Sequence, residues 1–457
     1  MVSPGNHQML AGAERSVKSK RVVVGTAALS VVRWMRMRGV GGFGGVEGSR
    51  GFSMVELLVG VAVSLAVLLV TLQLFAQSSA VRRATHGAAD AQQSAAVVGW
   101  QLNRELKAAG AGIVQDESVW GCALNVTRNG QVVLPRPTPW PEPFAKVPAQ
   151  LRALPVLIVD GGPGQPDIVV QFSARAAGSN TALPATFEAS TPALEIGAPL
   201  FGFRRGDLVL LTSAKTSSTP VGNCRVLEVD STFPDPPSAV IPTRFGLGSG
   251  APGGFNTGSV ATTLGAMSDL VLFHLGSRVG MSLFGVAIDQ SDPDLVKKPW
   301  TQRRSLVMLD ALGLQTTAVP LIMAEEVIDF QALYGVDDGL PSGSADDNRI
   351  DRWVSPASAG WDAASLLAAS SSALRIKALR IAMIIRGGLT QTNTRSATLR
   401  LFPDLGAQGL ALDVDVSRFA QYPLTVVDQV IPLPNSLLAL CSADRRARGL
   451  PVSGACP

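Results

Sequence analysis

Charged side chains make up only 16% of the 457 residues and hydrophobic ones 46%, which excludes a disordered polyelectrolyte. Histidine is scarce, with three in all, and cysteine is limited to Cys122, Cys224, Cys441 and Cys456. No Cys-x-x-Cys pair and no neighbouring histidine suggests a zinc site. Beyond residue 51 only His86 and His274 remain, neither in a nucleophile or metal motif, so no catalytic residue and no cofactor is expected. Residues 248–253 spell Gly-x-Gly-x-x-Gly, but Pro252 and the lack of a following helix make this a loop. Glycine (46) and proline (30) stay below the low-complexity range and suit a loop-rich, strand-rich fold. The length allows two or three average domains.

The net charge of +4 is unevenly spread. Residues 1–51 carry eight basic and two acidic side chains, whereas the remaining residues carry 31 basic and 33 acidic ones. The basicity therefore belongs to the leader. No basic stripe with interleaved aromatics lies downstream, so direct nucleic-acid binding is not expected.

Residues 52–76 contain one charge, Glu56, and no proline. As a helix they span roughly 37 Å, enough to cross a bilayer with some tilt. The segment is too long for a secretory h-region and lacks a small-residue cleavage site, and the basic residues before it orient the N-terminus toward the cytoplasm. A plain signal anchor explains all of this except Glu56. A carboxylate inside an apolar span costs roughly 2.5–3.5 kcal/mol on insertion scales and marks function by default. Its partner must be a cation at similar depth, and the span offers none. Cutting between Gly51 and Phe52 would create one, an α-amine that Glu56 of an adjacent subunit could neutralise.

Gly51-Phe52-Ser53-Met54-Val55-Glu56, followed by an unbroken apolar run, resembles the class III signal of type IV prepilins and type II secretion pseudopilins. Met54 stands where leucine is commoner. The resemblance implies cleavage after Gly51 and N-methylation of Phe52 by a prepilin peptidase, with an assembly role for Glu56. The 51-residue leader is long for this family, and a start at Met35 or Met37 would leave about 15 residues.

Beyond residue 76, small or apolar residues recur every three or four positions at Val81, Ala84, Ala88, Ala91, Ala95, Val98, Leu102, Leu106 and Ala109. The helix is thus expected to continue to about residue 109, roughly 85 Å in all, and to end at Gly110–Gly112. Gly87 and Gly99 allow local bends. His86 falls on the solvated side. From residue 113 the texture changes to short β-rich runs at 156–160, 167–172, 207–212, 224–229, 269–275, 305–309, 327–333, 376–385, 397–402 and 422–431. One helix is expected at 363–374, and exposed proline-rich loops at 135–148, 234–242 and 246–258. The fold class is α+β, an antiparallel sheet head behind a long N-terminal helix. Its divisions are a leader (1–51), a transmembrane half-helix (52–76), an amphipathic half-helix (77–112) and an enlarged head (113–457), with a subdomain split near 250 left open.

Several head segments are similar to PilW-type minor pilins: 206–211 with 224–230, 272–276 with 283–287, and above all 326–337, 349–353 and 375–386 in the family's order. This implies a pilin-like fold and a minor pilin that primes type IV pilus assembly. The implied place is single-pass in the inner membrane with a periplasmic head, then the pilus surface. Implied partners are the prepilin peptidase, the major pilin, other minor pilins and a tip adhesin, and implied roles are twitching motility and adhesion. The alternatives are a type II secretion pseudopilin or, in a different class, a membrane-tethered periplasmic enzyme or adhesin. The 435–457 tail departs from the family's ending.

Asp337, Asp338, Asp346, Asp347, Asn348 and Asp351 offer oxygen ligands for Ca²⁺, but without the regular Asp-x-Asp/Asn-x-Asp/Asn-Gly spacing. An exposed acidic turn is the simpler expectation. In an oxidising periplasm the four cysteines should pair, with Cys122–Cys224 and Cys441–Cys456 favoured among three possible sets. N-terminal sequencing of the mature protein is expected to return methylated Phe52, then Ser53-Met54-Val55-Glu56; a chain beginning upstream of Phe52 contradicts the motif.

Overall fold

The computed structural model describes residues 53–112, 121–174, 182–188, 193–213, 222–234, 242–248, 253–256, 269–277, 279–289, 291, 298, 301–313, 319–340, 348–368, 370–387 and 397–436. Gly51, Phe52, Asp346, Asp347, Cys441 and Cys456 lie outside them. The chain divides into two compact units, residues 1–71 and 72–457.

Helix α1 (Met54–Lys107) is the first element. In the first unit its side chains are exposed apolar ones, such as Leu57, Leu58, Val61, Leu65 and Leu68. In the second unit one stripe is buried: Gly87, Ala91, Ala95, Val98, Leu102, Leu106 and Ala109. Burying Leu102 and Leu106 contributes about 1.5–3 kcal/mol each. The stripe has the expected spacing but begins later, since Val81 is exposed. The helix runs unbroken through Gly87 and Gly99, so these glycines mark close packing rather than interruption. A Cβ on Gly387 would come 2.4 Å from the Gly87 carbonyl oxygen and 2.6 Å from Pro423 Cγ. Gln429 Nε2 donates to the Gly99 carbonyl at 3.3 Å. Past the helix end, Gly110 and Gly112 adopt positive φ (76° and 85°), and Gly110 N donates to Phe172 O at 2.8 Å.

The strands follow in chain order. The first six are β1 (Ala123–Arg128), β2 (Gln131–Leu134), β3 (Val156–Val159), β4 (Ile168–Ala174), β5 (Leu183–Glu188) and β6 (Ala193–Ile196). Then come β7 (Leu208–Ser213), β8 (Asn223–Glu228), β9 (Arg244–Gly246), β10 (Leu270–Gly276), β11 (Val279–Ile288), β12 (Arg304–Asp310) and β13 (Leu321–Glu325). The last six are β14 (Val327–Val336), β15 (Arg352–Val354), β16 (Ile376–Arg386), β17 (Thr398–Leu401), β18 (Leu412–Asp415) and β19 (Leu424–Pro432). Helix α2 (Ala363–Ala368) is followed by a 3₁₀ turn at Ser370–Arg375, so the single helix expected at 363–374 is two pieces.

These strands form an eight-stranded sheet (β2-β1-β8-β7-β10-β5-β6-β9), a five-stranded sheet (β13-β12-β11-β4-β3), a four-stranded sheet (β15-β14-β16-β19) and the β17–β18 ribbon. The protein is α+β, as expected, and its described pairings are antiparallel except one: β1 runs parallel to β8, with Leu124 opposite Cys224. Cys122 and Cys224 form a disulfide across 102 residues of sequence, with Cα atoms 5.5 Å apart.

The largest core joins the α1 stripe to the five- and four-stranded sheets and the β1–β8 side of the eight-stranded sheet. A second fills the β5–β9 end around Phe233 and Phe245, and a third packs Phe402, Leu405 and Phe419 on the four-stranded sheet. The proline-rich segment at 135–148 is not the exposed loop its composition suggests. Trp140, Phe144 and Val147 are buried, and Trp140 Nε1 donates to Pro148 O at 3.2 Å. Of the stretch 246–258, the described residues Leu247, Phe255 and Asn256 are buried, and the Asn256 side-chain oxygen accepts from Glu228 N. Proline there removes ladder donors, but aromatic burial still ties the segment down.

Gly387→Ala is expected to lower stability by about 1–3 kcal/mol, because both facing groups are backbone or ring atoms that cannot turn aside. Chemical denaturation of the detergent-solubilised protein would measure it.

Candidate assembly site

Ser53 opens α1. Its carbonyl accepts from Glu56 N (2.9 Å) and Leu57 N (3.1 Å), and its hydroxyl from Val55 N (3.4 Å). Ser53 thus stands at the N-cap and Glu56 three residues on, the spacing of a capping box. A carboxylate in the first turn also complements the helix dipole. Glu56 is exposed. Below it on the same face, Gly60 and Ser64 leave a shallow recess closed off by Leu65 and Leu68. Nothing lies within 4 Å of a Cβ built on Gly60, and Ser64 Oγ donates to the Gly60 carbonyl at 2.8 Å. Small residues at this spacing let two helices approach closely. Met54–Ser79 has a mean hydropathy of 2.6 and is long and apolar enough to cross a membrane. The expected cleavage and methylation positions, Gly51 and Phe52, precede the described residues.

The acidic turn is committed to its own loop. Asp351 Oδ2 accepts from Asp338 N (2.9 Å) and Gly339 N (2.6 Å), while Asp337 Oδ2 accepts from Asn348 N (2.7 Å). Asp338 is partly desolvated, yet its bond to Arg352 (Nη2 at 2.5 Å) holds its carboxyl below the usual range. The turn is not exposed throughout, because Asp337 is buried. Among the described residues no group of three or more His, Cys, Asp or Glu side chains is arranged to hold a metal ion.

Other polar groups surface only in three dimensions. His274 Nε2 lies 2.9 Å from Asp207 Oδ2, its ring stacks on Phe203 at 4.0 Å, and the pair is fully buried between β7 and β10. Arg380 is shared by Asp404 and Asp428, which raises its pKa further above an already high value. Burial lifts Asp167 to about 7, with Asp160 and Asp329 adding to the effect and hydrogen bonds from Gly161 N and Ala332 N (2.9 Å each) opposing it. Burial also raises Asp329, whose Oδ2 has no hydrogen-bond partner among the described residues. A pairing of residues 67 apart in sequence leaves no local signal, which is why His274 reads as an isolated residue in the chain.

The β12–β19 part of the head carries the decisive likeness. Residues 294–435, roughly a third of the chain, match the family model described as Type IV Pilus-assembly protein W. Over those residues the chain is similar to PilW-type pilus-assembly proteins. Its matched part holds the whole four-stranded sheet, the acidic turn and the Arg380 cluster. No curated protein and no solved structure matches the chain. That likeness supports a part in type IV pilus assembly, and the apolar helix Met54–Ser79 is compatible with a single-pass membrane anchor.

Asp167 is protonated in the folded state at pH values where the unfolded chain, with an ordinary carboxyl near 3.8, is ionised. Its burial is therefore expected to make stability fall as pH rises from about 4 to about 7, and to add no further slope above that. Asp167→Asn should make that slope shallower, with Asp329 supplying the remainder; melting curves at several pH values would check it.

Proposed function

We propose that this chain is a minor pilin that helps start type IV pilus polymerisation and sits at or near the filament tip. The observation that carries the reading is an exposed, apolar, membrane-length helix with Glu56 in its first turn, on the same chain as a PilW-like head. The precursor waits in the inner membrane, N-terminus cytoplasmic and head periplasmic. A prepilin peptidase hydrolyses the Gly51–Phe52 bond, and the freed amine of Phe52 is N-methylated.

Glu56 then acts as the register mark of assembly. In a dry helical bundle its carboxylate is costly alone and is neutralised by the Phe52 ammonium of the adjoining subunit. The Gly60–Ser64 recess lets the neighbouring helix come close on the same face. No step requires a catalytic group or cofactor from this chain. A bulky head suits the tip, where it does not crowd a regular shaft, and from there it meets the major pilin, other minor pilins and any adhesin. Motility and adhesion follow from the filament it initiates.

Glu56→Leu should leave the protein in the membrane but reduce its incorporation into filaments by at least about tenfold, since a lone buried ammonium remains. Immunoblots of sheared filaments beside membrane fractions would measure this. Unchanged incorporation contradicts the reading, and loss of protein secretion with intact pili would assign the chain to type II secretion instead.

A further inference from the structure

Strand β13 ends the five-stranded sheet, so among the described residues its outer row of N–H and C=O groups faces no strand. Several other sheet ends among the described residues are short or covered. Strand β3 is buried throughout, β9 and β15 are three residues long, and β19 turns Asp428 and Gln429 toward Arg380 and the α1 backbone. Strand β13 lacks those protections. Leu321 and Ile322 are 62% and 63% exposed, and Val319 just before them is 73% exposed. Neighbouring residues on a strand point to opposite faces, so both faces are uncovered here. An apolar, unpaired edge invites another strand.

The same edge borders a groove of about 480 Å³ beside α1, lined by Asp90, Ser94 and Val97 on the helix and by Met323 and Glu325 on the strand side. Val97 is itself 49% exposed. Asp90 and Glu325 form no ion pair among the described residues, whereas Glu326 next to them is held by Arg386. Glu326 also adopts a left-handed backbone (φ 64°), and its carbonyl accepts from Arg386 N at 2.8 Å. That conformation is strained, and the Arg386 contacts hold the backbone just past β13 beside the helix.

We infer that β13 and the adjoining α1 groove form a docking edge for an extended segment of another subunit of the same pilus. The unpaired backbone row calls for a strand, since only extended chain matches it group for group. Exposed Val319, Leu321, Ile322 and Val97 call for apolar side chains on that strand, and Asp90 with Glu325 for a lysine or arginine. The inference rests on the pilus-subunit reading and names where one of its contacts forms.

The test places the photoreactive residue p-benzoylphenylalanine at Leu321 or Ile322 of the full-length protein in piliated cells. Val132 and Leu412, exposed elsewhere on the head, serve as controls. Illumination should give an adduct from positions 321 and 322, absent from the controls, and mass spectrometry should place it on an apolar, Lys- or Arg-containing segment of a different pilin-like subunit. Glu325→Lys should reduce its yield about fivefold through charge repulsion. Adducts only with a second copy of this chain, or equal adducts from the controls, overturn the inference. So does the absence of adducts in cells whose piliation still requires the protein, an outcome that leaves the pilus-subunit reading standing.

Discussion

Close approach between α1 and the sheets is the constraint from which the head's arrangement follows. The helix can lie against the strand end at Gly387 because that residue carries no side chain to meet the Gly87 carbonyl. From that contact the buried stripe continues through Ala91, Ala95 and Val98 to Leu102 and Leu106, so side-chain size grows toward the C-terminal end of the helix. The small end sits beside the start of β14 and the end of β16, while the leucine end reaches the large core. Polar ties are added where the backbones meet: Gln171 donates to the Glu105 carbonyl in the last turn of α1, and Asn435 to the Ala109 carbonyl just beyond it.

Much of this is written plainly in the chain, and the reasons are physical. The three-and-four spacing from Ala91 onward is a signature that a helix buried on one face must carry. Continuous apolar runs such as 381–385 mark strands covered on both sides, and β16 is buried along nearly its whole length. Shorter strands escaped detection for the opposite reason. β13, β15 and β18 have three to five residues and mixed exposure, so their periodicity is too brief to register. Proline-rich 135–148 misled because composition reports the lack of a ladder, not the burial of Trp140 and Phe144.

The candidate site shows a similar division. Glu56 stands out because one carboxylate in an apolar span is an energetic anomaly that needs no structure to be seen. Its recess at Gly60 and Ser64 needs the helix, since residues four apart become neighbours only there. The partners of the acidic turn's carboxylates and the Asp207–His274 pair were beyond sequence reasoning. What decides them is whether each carboxylate faces its own backbone, an arginine or a buried ring, and that is set by partners from distant segments.

The disulfide has a mechanical consequence for a protein anchored through α1. Tension drawn along the helix travels down the chain to Cys122 and crosses directly to Cys224. The intervening strands, β1 to β7, are left out of the load path. About 100 residues, which would otherwise pay out roughly 340 Å of slack, stay folded while the bond holds. Such a head behaves as a short, stiff link.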